Sequence, residues 1–151
     1  MRFWRIWNNV QSVDDVREVT YQVFKDGIEP KWEDPQNAKG GEYKIVFNAN
    51  TVDYLGDYYM DLTLALIGEQ LGDHVCGIVC AKKKFKSRIV IWVNTTEPAA
   101  LAQVRRLIAK AVSDRPNSRR LCDSAAWCDH AALLRENTGG SNHRSSPNRA
   151  H

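Results

Sequence analysis

Apolar residues recur at helical spacing in "RFWRIWNNV", residues 2–10, then switch to strand-like runs in "YQVF", residues 21–24, and "YKIVF", residues 43–47. The first pattern predicts an opening helix, and the other two predict strands bracketing a loop rich in Pro, Gly and charge. Residues 52–71 read as a long helix, after which "VCGIVCAKKKF" and "RIVIWVNT" form two strands around a basic connection. That connection is too short for a crossover helix, so the sheet should be largely antiparallel. Pro98 opens another helix running to about residue 113. The predicted class is α+β, with helices packed on one face of the sheet and the other face left to loops.

The long helix carries two apolar stripes. Leu55, Tyr59, Leu62 and Leu66 form one, while Met60, Leu64, Ile67 and Leu71 form another, roughly 150° away around the helix. A sheet covers only one stripe. The second either meets another part of this chain or awaits a partner with its own apolar face.

Composition narrows the class. With 151 residues, 43% hydrophobic and 26% charged, the chain has the makings of one domain with a core. We expect that domain over residues 1–122. From Ser113 onward Pro, Asn, Ser, Gly and Arg dominate, and 123–151 is expected to be a disordered tail. No run of about 18 apolar residues and no secretory leader is present, so a soluble intracellular protein is expected. The 4 cysteines lack the dense spacing of a disulfide framework and read as free thiols. Cys122, Cys128 and His130 could supply zinc ligands, but without a close CxxC pair no metal or cofactor is expected.

The net charge of +3 argues little by itself, but its distribution says more. Lys82, Lys83, Lys84, Lys86 and Arg88 crowd one hairpin-like stretch, and Arg115, Arg119 and Arg120 follow the last long helix. Either set draws anionic ligands or forms a solvated charged turn.

One loop residue asks for a chemical reason. In "EPKWEDPQNAKGGEYKIVF", residues 29–47, Trp32 stands between Lys31 and the acids Glu33 and Asp34. A surface indole exposes apolar area at a cost. Trp32 offers a flat electron-rich face and Glu33 two acceptors, a pairing that suits a flat cationic donor such as guanine methylated at N7. Stacking a cation on the ring contributes about 0.5–2 kcal/mol, and charge-assisted bonds to the carboxylate about 1.5–3. The basic stretch could hold an attached phosphate chain if its strand lies beside the loop. Trp92, in "IVIWV", is either part of that site or a core strand residue.

In order and spacing, "FWRIWNNV", "FKDGIEPKWEDPQNAKGGEYKI", "LALIGEQLGDHVCGIV" and "RIVIWVNT" resemble the eukaryotic translation initiation factor 4E family, the messenger RNA cap-binding proteins. The resemblance implies a curved antiparallel sheet with helices on its convex face and a 7-methylguanosine cap in its concave face. It implies base contacts from Trp32, Glu33 and Trp92 and phosphate contacts from Lys83, Lys86 and Arg88. It also implies a convex surface of Trp4, Met60, Leu64 and Gly68 that grips a YxxxxLΦ-type helix of initiation factor 4G or of 4E-binding proteins. Glu42 stands where many members carry a basic residue, with Lys86 or Lys82 as compensating charges. The family's first strand and one of its two cap-stacking tryptophans find no counterpart, so a truncated chain or fragment is expected.

The expected function is therefore cap and partner binding in translation initiation or its regulation, in the cytoplasm with the nucleus as a second address. The rival is a 4E-like interaction module that binds caps poorly. An enzyme is not expected, because Asp14, Asp15, His74 and Cys76 form no nucleophile elbow, phosphate loop or metal pair. Trp127 is expected to pack in the core or tail.

Overall fold

The computed structural model describes residues 2–31 and 33–139. In chain order the elements are α1 (Arg2–Asn9), β1 (Val19–Phe24), α2 (Pro35–Ala38), β2 (Gly41–Phe47), α3 (Leu55–Ile67), β3 (Val75–Lys82), β4 (Ser87–Val93), α4 (Pro98–Ala111), α5 (Ser118–Asp123), β5 (Ala126–Asp129) and α6 (His130–Gly139). The architecture is α+β: one sheet of order β1-β3-β4-β2-β5, every pairing antiparallel, with α3, α4 and α5 on its convex face and α2 meeting the start of α6 on the other.

Strand alternation divides the sheet into two environments. Ile89, Ile91 and Val93 of β4, Tyr43, Ile45 and Phe47 of β2, and Ile78 and Cys80 of β3 face the helices and are buried. The intervening residues Arg88, Val90, Trp92, Glu42, Lys44 and Val79 point to the opposite face, as the period of two requires. On the helix side, Tyr58 sets its ring edge-on to Phe47 at 5.3 Å and its hydroxyl donates to Pro116 O at 2.6 Å. Arg115 grips Asp61 with two bonds, Nε to Oδ2 at 2.6 Å and Nη2 to Oδ1 at 3.0 Å. That fork ties the segment after α4 to α3, so Arg115 serves the fold first and is not the free anion-drawing cation its sequence context suggests.

The helix expected over 52–71 is shorter. A 3-10 turn at Val52–Tyr54 precedes α3, which stops at Ile67 with Gly68 as its cap. Leu55, Tyr59, Leu62 and Leu66 are buried as one stripe. Met60, Leu64 and Ile67 are exposed, and only Leu71, beyond the helix, is buried from the other stripe.

Ordered elements continue past the expected tail boundary at 122. Residues 126–129 form the fifth strand, pairing with β2, and α6 continues to Gly139. The composition of this stretch hides a short edge strand whose Trp127 packs on Tyr43 at 4.9 Å. The remainder of the expected tail, 140–151, lies outside the described residues. Among the described residues, no helix is long and apolar enough to cross a membrane.

All four cysteines are free. Burial pushes the Cys76 thiol up to about 11 and Cys80 to about 12. Cys76 and Cys80 should resist a thiol reagent at mildly alkaline pH until denaturant is added; rapid labelling of both in the native protein would contradict their burial. Stability should hold below their ordinary value of 9.0 and decline as pH rises towards 11, because the unfolded chain releases protons that the fold retains. Denaturant titrations across that range read the effect.

Candidate functional site

The open face of the sheet has two ends. At one end lies the loop that follows β1, and the structure shows what holds it. Asp34 caps α2: its Oδ1 accepts from the Gln36 amide and its Oδ2 from the Glu29 amide, both at 2.9 Å. These two amides hold the Asp34 carboxyl below the usual carboxylate range. Asn37 is buried, and its side-chain amide donates to Glu29 O at 2.7 Å and Lys31 O at 2.9 Å. The motif "EDPQN" is thus a clamp, in which an acid and an amide fasten a segment that has no ladder of its own.

The clamp is joined to the sheet through His130. Its imidazole is fully buried and its Nδ1 lies 2.8 Å from Asn37 O. A carbonyl only accepts, so Nδ1 carries the proton. Its Nε2 stands 3.5 Å from Glu42 Oε1, its ring packs on Trp92 at 4.7 Å between centroids, and its backbone amide donates to Gly40 O at 3.0 Å. Loop, last strand and central strand therefore meet at one residue.

The paired glycines belong to this joint. A Cβ at Gly40 would overlap the Val93 carbonyl, and one at Gly41 would press on the Trp127 ring and the Cys128 carbonyl. Only hydrogen side chains let β2 enter between β4 and β5 at this point.

The sequence-predicted site residues distribute as follows. Trp32 lies outside the described residues. Glu33 is exposed on the clamped loop. Trp92 lies on the open face, near that loop, but it is only 8% exposed, edge-on to Phe24 at 5.4 Å and covered by His130. The strand-core reading of Trp92 accounts for most of its surface. Arg88 shares the face of Trp92, about 13 Å away along β4 at four strand residues. Lys83 and Lys86 are exposed in the β3–β4 turn beyond it. Lys82 is not available for compensation, because it alternates to the helix face and its Nζ donates to Val13 O at 2.9 Å.

Lys44, rather than Lys82, is a cation on the open face. It is half-buried on the open face, paired across the ladder with Val90, between the positions of Trp92 and Arg88. Alternation along "EYKIVF" could have found it. The roles of Asn37 and His130 carried no such local signal, since each depends on a partner far along the chain. Glu42, by contrast, is buried against His130, so its carboxyl is directed into the joint.

On the convex side, Trp4 is exposed on α1, which docks through Trp7 on Tyr59 at 5.6 Å. Met60 and Leu64 are exposed on α3, and Gly68 caps it. The residues expected to bind a partner thus lie on the helix layer, opposite the loop. His74 bonds Asn94 and Cys76 is buried with its proton retained, an arrangement suited to structure rather than nucleophilic attack.

A sheet with one helix-covered face and one open, cation-bearing face defines a ligand-binding scaffold. The family profile for eukaryotic initiation factor 4E matches residues 1–142, and the chain belongs to that family. Eukaryotic translation initiation factor 4E-5 of Caenorhabditis elegans is 29% identical over 147 residues, covering 90% of this chain and 72% of that protein. The Xenopus laevis factor 4E is 36% identical over 100 residues, but the match spans 63% of this chain and 47% of the relative. Caenorhabditis elegans eIF4E-3, solved with the 4E-binding protein Mextli, superposes with a TM-score of 0.74 at 25% identity over 87% of this chain and 76% of that one. Ascaris suum eIF4E-3, solved with an m7G cap, superposes with a TM-score of 0.68 at 27% identity over 78% and 68%. The family match runs past residue 122, in line with the added strand β5.

Replacing Asn37 by Ala removes two bonds to the loop and should cost about 1–3 kcal/mol of stability. Amide exchange over residues 29–38 should accelerate more than exchange in β3. Uniform acceleration across both would mean that Asn37 supports the whole fold and not the loop in particular.

Proposed function

We propose that this protein binds the 7-methylguanosine cap of messenger RNA on its open face and a helical partner on its convex face, in translation initiation or its regulation. The observation that supports this reading is the clamped loop: Asn37 holds the Glu29 and Lys31 carbonyls, and His130 ties Asn37 to the Trp92 end of β4, whose other end presents Arg88 and the basic turn. Trp32 would stack on the methylated base, Glu33 would accept from its edge, and Trp92 would form the back wall. Lys83, Lys86 and Arg88, with Lys44 between them and the base, would neutralise the phosphates. Nothing in this reading calls for bond making, and the protein acts as a binding factor in the cytoplasm, with the nucleus as a second address.

Selectivity follows from charge. Unmethylated guanine keeps its edge donors but loses the cation, so the methylated nucleotide should bind more tightly by about 0.5–2 kcal/mol, the worth of the cation over the ring. Titration with 7-methylguanosine triphosphate should quench tryptophan fluorescence, and Trp32→Ala should weaken binding by about 1–3 kcal/mol. Absence of quenching in folded protein at high ligand concentration would overturn cap binding.

The rival reading, a 4E-like interaction module with weak cap affinity, is favoured by a specific observation. Trp92 is largely enclosed by Phe24 and His130, whereas Met60 and Leu64 are 43% and 40% exposed. Under both readings a YxxxxLΦ-type helical peptide should bind, and Trp4→Ala should weaken it by about 2 kcal/mol or more, as for an aromatic anchor. Calorimetry with peptide and cap nucleotide separates the readings: peptide binding without cap binding selects the module, and loss of peptide binding removes it.

A further inference from the structure

The β3–β4 turn contains a residue that the cap reading does not use. Phe85 is 84% exposed, more than any other large apolar side chain among the exposed ones described. Its position is built: buried Ser87 accepts from the Lys83 amide at 3.2 Å and its hydroxyl donates to Lys83 O at 3.4 Å, closing the turn from within. The tip then projects Phe85 outward. Lys84 Nζ lies 5.3 Å from the ring centroid, and Lys83, Lys86 and Arg88 are exposed around it. No acid interrupts residues 82–88.

An isolated phenyl ring among cations fits one kind of ligand especially well. Single-stranded nucleic acid asks for a flat apolar surface for a base and positive charge for the flanking phosphates. Position supplies the rest. Arg88 and Trp92 share a face of β4, and the tip lies three residues beyond Arg88, so Phe85 stands up to about 23 Å along the chain from Trp92. A ligand whose base lies at the Trp92 end and whose phosphates run past Arg88 would meet Phe85 with the nucleotides that follow.

We propose that Phe85 and Lys84 form a stacking site for the RNA body immediately downstream of the cap. This rests on the cap reading for its polarity, though the ring and its cations stand independently of it. The site makes this turn a reader of transcript presence as well as a holder of cap phosphates.

The test compares 7-methylguanosine triphosphate, a short capped oligouridylate and the same oligouridylate uncapped, each titrated against the full chain. The capped RNA should bind more tightly than the nucleotide. Phe85→Ala should weaken the capped RNA about five- to 150-fold, the range for one base stacked on an aromatic ring, and leave the nucleotide unchanged. Phe85→Trp should retain RNA binding. Lys84→Gln should reduce the slope of log affinity against log salt by about 0.7 for the capped RNA. Equal affinities of the wild-type protein for nucleotide and capped RNA would overturn the proposal. So would equal effects of Phe85→Ala on both, or displacement of the RNA by polyglutamate as readily as by uncapped RNA. If the nucleotide fails to bind while uncapped RNA binds in a Phe85-dependent way, the cap reading falls and the stacking site stands.

Discussion

Every antiparallel strand here must satisfy two environments at once, because successive side chains point to opposite faces. In β4 that constraint sends Ile89, Ile91 and Val93 into the core and Arg88, Val90 and Trp92 to the open face. In β2 it sends Tyr43 and Ile45 beneath the helices and Glu42 and Lys44 to the other face, where Glu42 is covered by His130. The separation between aromatic and cationic positions is therefore locked to the core: a slip of one residue would exchange isoleucine for arginine beneath the helices. Core packing and site spacing are one constraint seen from two sides.

The loop end of the open face has no such ladder and is held instead by side chains. Asp34 and Asn37 satisfy the backbone of Glu29, Lys31 and Gln36, and His130 carries the connection to β2 and β4. Buried polar groups of this kind favour a single arrangement, since each broken bond strands a partner away from water. The C-terminal strand and helix thereby become part of the site's foundation. Glu42, buried against His130, is part of that foundation.

The convex layer divides its labour along α3. One stripe closes the core; the other, with Met60, Leu64 and Ile67, remains exposed among the described residues. Exposed apolar groups at helical spacing suit a helix-in-groove partner, and the Arg115–Asp61 fork fixes α3 against the segment after α4 nearby. The exposed stripe and the face that carries Lys44 and Arg88 lie on opposite sides of a single sheet.

Periodicity and turn chemistry determined much of this from the sequence: the opening helix, the four longer strands, the antiparallel sheet and the two stripes of α3 are local patterns. The motif around Trp32 and Glu33 marked the loop, and alternation in "EYKIVF" held Lys44 in plain sight. Tertiary structure decided what depends on distant partners. Trp92 became enclosed because Phe24 and His130 arrive from opposite ends of the chain, and Lys82 was withdrawn by Val13. Ala126–Asp129 became a strand because β2 had an edge to offer, and short edge strands take their identity from the partner more than from their own residues.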